Sequence, residues 1–93
     1  MRRHRAFYRT SDGAADYDFS FEERSDVTWR VYIECQPSYR GRNESAEATH
    51  RLRDGSRRYV CWTDPIRSLS AAKQIAKAWA DNTQKYIRTG QTF

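Results

Sequence analysis

The sequence predicts an α+β protein: an antiparallel sheet of three to four strands, in the order β-β-β-β-α, packed on one long C-terminal helix. Three observations carry that prediction. Residues 16–22 and 27–35 alternate apolar and polar side chains with period two, as half-buried strands do. An Asp-Gly pair at 54–55 separates two further strand-like runs. From Leu69 onward the apolar residues recur at three- and four-residue spacing instead.

In chain order, Tyr17, Phe19 and Phe21 alternate with Asp16, Asp18, Ser20 and Glu22, which gives the first expected strand an acidic outer side. Arg24-Ser25-Asp26 is a short polar break, so an antiparallel hairpin follows. The second strand alternates Val27, Trp29, Val31, Ile33 and Cys35 with Thr28, Arg30, Tyr32 and Glu34. It is rich in β-branched and aromatic residues, which suit a pleated surface. Pro37 ends it, and residues 36–47 read as a long polar loop. Thr49–Arg53 and Ser56–Thr63 flank Asp54-Gly55, whose pairing predicts a tight turn. A two-residue turn there pairs Arg53 with Ser56, Leu52 with Arg57, His50 with Tyr59 and Ala48 with Cys61. Ser68 is then the N-cap of a helix that runs to about Arg88. Leu69, Ala72, Ile75, Ala76, Trp79, Ala80, Thr83, Tyr86 and Ile87 form its apolar stripe, and Gly90 suits the C′ position.

Composition limits what such a fold can be. The hydrophobic fraction is 38%, below the ~45–50% usual for globular domains. Three Trp, six Tyr and four Phe compensate, because large rings bury much area each. Cys35 and Cys61 form no C-x-x-C pair, and a disulfide scaffold is not expected. No run approaches the ~18 apolar residues of a membrane span. The charged start Met1–Arg5 has no apolar stretch after it, so no signal peptide is expected. These features lead to the expectation of a reduced, cytoplasmic protein with no membrane partner.

The net charge is +5, carried by fourteen Arg against three Lys. Residues 1–9 hold four Arg and no acid, and residues 1–15 are expected to be a flexible basic arm ahead of a single domain over 16–93. The next stretch, 10–26, is acidic. Arginine forks suit phosphate and carboxylate and stack on rings. Arginine-rich usage also follows from GC-rich coding, however, and lysine is scarce along the whole chain.

Function is expected on the sheet face that the helix leaves free. If the helix covers the more apolar set, Leu52, Tyr59 and Cys61 lie under it with the second strand's hydrophobics. The free face then displays Arg30, Tyr32, Arg51, Arg53, Arg58 and Trp62. Guanidinium groups would pair phosphates, and rings would stack bases. Arg40 and Arg42, around Gly41, would extend the contact. The resulting expectation is a small non-catalytic module that binds or accompanies nucleic acid. The alternative is a protein-interaction module, such as a phage-encoded inhibitor of the anti-CRISPR type or a small accessory subunit, that meets an acidic protein surface. His4, His50, Cys35 and Cys61 lack the short ligand pairs of a zinc site. Cys35 with His50 lacks a third orienting group for nucleophilic catalysis. No cofactor, metal or small-molecule substrate is expected.

Overall fold

The computed structural model describes all 93 residues. The chain runs through β1 (Arg3–Arg9), β2 (Asp16–Glu23), β3 (Trp29–Cys35), the one-turn helix α1 (Ala46–Thr49), β4 (Arg51–Asp54), β5 (Arg57–Val60) and the long helix α2 (Leu69–Thr89). The strands form one antiparallel sheet in the order β1-β2-β3-β5-β4. The α+β class and the C-terminal helix follow the sequence pattern. The sheet has five strands instead of three or four.

The fifth strand is β1, inside the segment expected as a flexible arm. Arg3 pairs with Glu22, Arg5 with Ser20, Phe7 with Asp18 and Arg9 with Asp16. Apolar alternation gives this strand little signal, since only Ala6 and Tyr8 reach the core. Charge holds it instead. Arg5 forks both oxygens of Asp18 at 3.1 and 2.6 Å, Arg3 reaches Glu22 at 3.3 Å, and Arg9 meets Asp16 at 3.0 Å. The basic and acidic blocks of the sequence are thus the two sides of one ladder, and opposite charges across strands favour that register.

The core lies between the sheet and α2. Tyr17, Phe19 and Phe21 of β2, Trp29 and Val31 of β3, and Val60 of β5 meet Ala72, Ala76, Trp79 and Ala80 of α2. The small side chains of Ala72, Ala76 and Ala80 bring the helix backbone close to the rings below. Trp79 stands edge-on to Tyr17 and Phe19, with centroids 5.9 and 6.1 Å away, a favoured aromatic geometry. Its indole N–H donates to the Thr49 carbonyl at 2.9 Å, so burial leaves the indole's own polar atom paired. Ser68 caps the helix through the Ala71 N–H, and Gly90 ends it with φ +76°.

A smaller cluster of Tyr39, Ala48, Tyr86 and Ile87 pins the loop between β3 and β4 to the last turns of α2. That loop contains α1, capped by Ser45 and ended by His50 at φ 54°. His50 is therefore a helix cap and not a strand residue.

The β4–β5 turn also departs from expectation. Asp54 pairs with Arg57, Arg53 with Arg58 and Leu52 with Tyr59. The turn is Gly55-Ser56, with positive φ at Gly55 alone, as in type II′. The turn centre has moved by one residue, so each pairing shifts by two positions and no side chain changes face. What changes is the face that α2 covers. β3 pairs with β5 through Tyr32–Tyr59 and Ile33–Arg58, which places Val60 beside Val31 under the helix and turns Leu52, Arg57 and Tyr59 outward.

Candidate functional site

Three strands, β2, β3 and β5, build the centre of the open face, with β1 and β4 at its edges. Arg30 and Tyr32 lie there as expected, whereas Arg51, Arg53 and Arg58 lie on the opposite side. Register is the physical reason. β3 fixes which face of β5 is buried, and one Val at position 60 outweighs the pair Leu52 and Tyr59. Arg57 and Tyr59, which the sequence reading did not select, take the central positions.

The open face is a lattice of stacked rings and paired charges. The Arg57 guanidinium lies 3.6 Å from the centroid of Tyr32, and that of Arg30 lies 4.0 Å from Tyr59. Both are within the range of favourable cation–π contact. Arg57 also donates to Glu22 at 2.8 Å and to Glu34 at 2.9 Å. Arg30 reaches Asp54 at 3.3 Å, and the Tyr32 hydroxyl donates to the same carboxylate at 2.7 Å. Arg57 holds Glu22 below its ordinary pKa, chiefly by hydrogen bonding. Tyr32 does the same for Asp54, with Arg30 adding charge attraction. Arg3, Arg5, Arg30 and Arg57 thus face Asp18, Glu22, Glu34 and Asp54, and the face is electrically balanced.

At one end of this face Leu52, Tyr59 and Trp62 border a hollow of about 420 Å³ that reaches the core residues Trp29 and Ile66, with Arg24, Asp26, Arg30 and Asp64 as the charged part of its lining. Trp62 is 51% exposed and Leu52 38%. The β2–β3 hairpin that contributes Arg24, Asp26 and Thr28 carries Val27 at its tip, 66% exposed and at φ 61°. A β-branched residue in the left-handed region is a backbone outlier, and such strain gathers at functional surfaces.

The remaining expected residues sit elsewhere. Arg51 is 10% exposed at its side chain; it bonds Gln36 and Glu44 and stacks on Tyr39. It is a structural bolt for the β3–β4 loop. Arg53 and Arg58 oppose each other across β4 and β5 and form no ion pair. Arg40 and Arg42 lie at the far end of the molecule, beside the C-terminus of α2, where they share a hollow with Arg88 and Asp12. Cys35, expected in the core, is exposed at the end of β3, and Cys61 is half-buried. No three His, Cys, Asp or Glu side chains converge as a metal site would require. No helix is long and apolar enough to cross a membrane.

Eight of the 17 bases and eight of the 12 acids are ion-paired, so nine unpaired bases against four unpaired acids account for the whole net charge of +5. Only Arg24 among these unpaired bases borders the open face. Comparison with protein-family models, with characterised proteins and with solved structures gives no match to this chain.

Proposed function

We propose that this chain is a non-catalytic protein-interaction module that docks a partner at the hollow beside Trp62, at one end of its open sheet face. The observation that carries the reading is the exposure of Trp62 and Leu52 around one hollow, beside Arg30, whose charge is paired with Asp54, and the unpaired Arg24. Trp, Tyr and Arg dominate the energetic centres of protein interfaces. The Arg30–Tyr59 and Arg57–Tyr32 stacks are fixed before any partner arrives, which lowers the ordering cost of binding. A fitting partner presents an apolar or aromatic side chain to the hollow, with polar groups around it for Arg24 and Asp26. Trp62→Ala should weaken partner binding by at least about tenfold, the loss typical of an interface centre, while thermal stability stays close to that of the parent. Retention of full affinity in Trp62→Ala and Leu52→Ala would remove this reading.

A second reading, nucleic-acid binding, is favoured by one observation: Arg40, Arg42 and Arg88 line a common hollow away from the open face. In that reading the phosphate contacts move from the sheet to the end of α2. Affinity for oligonucleotides would then fall log-linearly with salt, and loss of Arg40 would reduce the slope by about 0.9. The arginines of the open face would leave that slope unaltered.

A further inference from the structure

Tyr39-Arg40-Gly41-Arg42 folds as a tight turn, closed by the Arg42 N–H on the Tyr39 carbonyl at 3.1 Å. Both central residues have positive φ, 54° at Arg40 and 85° at Gly41. The left-handed region disfavours an Arg, so the backbone at position 40 is strained. The turn is not loose. The Tyr39 ring is buried against Tyr86 and Ile87, which fastens the loop to α2.

Two of the three guanidinium groups at this end are held in place. Arg42 donates through Nε to the Ile87 carbonyl at 3.3 Å and lies directly on Gly90, where a Cβ would come within 2.6 Å of its Nη1. It thereby offsets the partial negative charge of the helix C-terminus. Arg88 donates to Asp12 at 3.0 Å, and Asp12 is itself fixed by the Thr10 hydroxyl at 2.6 Å and the Ala14 N–H at 2.9 Å. The third guanidinium, of Arg40, is exposed and has no partner. All three line a hollow of about 470 Å³, together with Gln84. Three cations there face one carboxylate.

We propose that this hollow binds a phosphate group. Arg42 and Arg88 offer the N–H donors that they do not give to the Ile87 and Arg88 carbonyls and to Asp12, and Arg40 closes over the anion from the turn. The volume admits a phosphate with part of the molecule that bears it. The inference rests on the hollow of the second reading and names its ligand chemistry; it is independent of the docking hollow beside Trp62, with which it shares no residue. Free phosphates, nucleotides and nucleic-acid strands offer the same chemistry.

The test is an arginine side-chain NMR titration with inorganic pyrophosphate, repeated for Arg40→Gly and Asp12→Asn. Arg40→Gly suits the left-handed backbone, so loss of fold does not confound it. Pyrophosphate should shift the Nε–H signals of Arg40, Arg42 and Arg88. Arg40→Gly should weaken it by about tenfold, as loss of a charged hydrogen bond does, and Asp12→Asn should strengthen it. Unmoved arginine signals at saturating pyrophosphate, or equal affinity in Arg40→Gly, would overturn the proposal. A parallel arm compares oligonucleotides with and without a 5′-phosphate. Tighter binding of the phosphorylated strand assigns the site to strand ends, and equal tight binding of both assigns it to the backbone. Binding of pyrophosphate alone assigns it to small phosphates.

Discussion

Two groups of arginines in this molecule look alike in the sequence and behave differently in the fold. Arg30 and Arg57, on the open face, are each stacked on a tyrosine and clamped by carboxylates. Arg40, at the end of α2, has no acidic partner, and neither have Arg53 and Arg58 on the back of β4 and β5. The first group stabilises the sheet, and the second is part of the molecule's free charge. A basic composition therefore says little about where an anion binds until each guanidinium has been matched with its partners.

The comparison depends first on which side of the sheet is covered, and that rests on Trp79. Trp79→Ala should cost about 3–5 kcal/mol in denaturant unfolding, as large-to-small changes in a packed core do. A cost below about 1 kcal/mol, as at surface positions, would mean that the helix packs otherwise and that the open face is misassigned. Next in size is Arg57→Ala, which leaves Glu22 and Glu34 without their shared cation. Because Arg57 is about one-third exposed, solvent screens the pair and the loss should be only about 1 kcal/mol. Arg53→Glu should go the other way. It replaces a like-charge pair across β4 and β5 by an opposite one, raising stability by about 0.5 kcal/mol.

Acid provides a further way to separate the two groups. Glu22 and Asp54 titrate below their ordinary values in the folded state, held by Arg57 and by Tyr32 respectively. A depressed folded pKa favours the native state above the unfolded carboxylate range, and that contribution is lost as pH falls through the folded value. Stability should therefore hold at neutral pH and decline below about pH 4. In Arg57→Ala the part of this decline that belongs to Glu22 should shrink, whereas Arg40→Gly should leave the acid profile unchanged. Parallel pH–stability curves for parent, Arg57→Ala and Arg40→Gly read this directly.

Most of the architecture was legible in the sequence because burial writes a period into it. The period-two runs of β2 and β3 and the stripe from Leu69 to Ile87 are imposed by one-sided contact with the core. The strand β1 was not legible in that way, because its ladder is held by Arg–carboxylate pairs with β2 more than by buried side chains. Its trace was the neighbouring +4 and −5 charge blocks, which read equally as an arm and an acidic edge. The face assignment of β4 and β5 failed for a different reason. Two short strands with apolar residues on both sides, Val60 on one and Leu52 and Tyr59 on the other, carry no local preference. The choice is made by long-range pairing with β3, which no local pattern encodes. Arg30 and Tyr32 were legible because β3 alternates cleanly; Arg57 and Tyr59 were not, because β5 does not. The association of Arg40 and Arg42 with Arg88 and Asp12 joins segments far apart in the chain, so spacing could not have announced it.

The open-face arginines are matched to carboxylates, and we propose that anions bind at the other end, where Arg40 has no partner. The most direct test is one arginine side-chain NMR spectrum, recorded at low salt with and without a short single-stranded oligonucleotide. The fold described here predicts that the Nε–H signals of Arg30 and Arg57 stay fixed, while any arginine that responds is found among Arg40, Arg42 and Arg88. Movement of Arg30 and Arg57 ahead of those three would contradict it, and would return the nucleic-acid surface to the sheet.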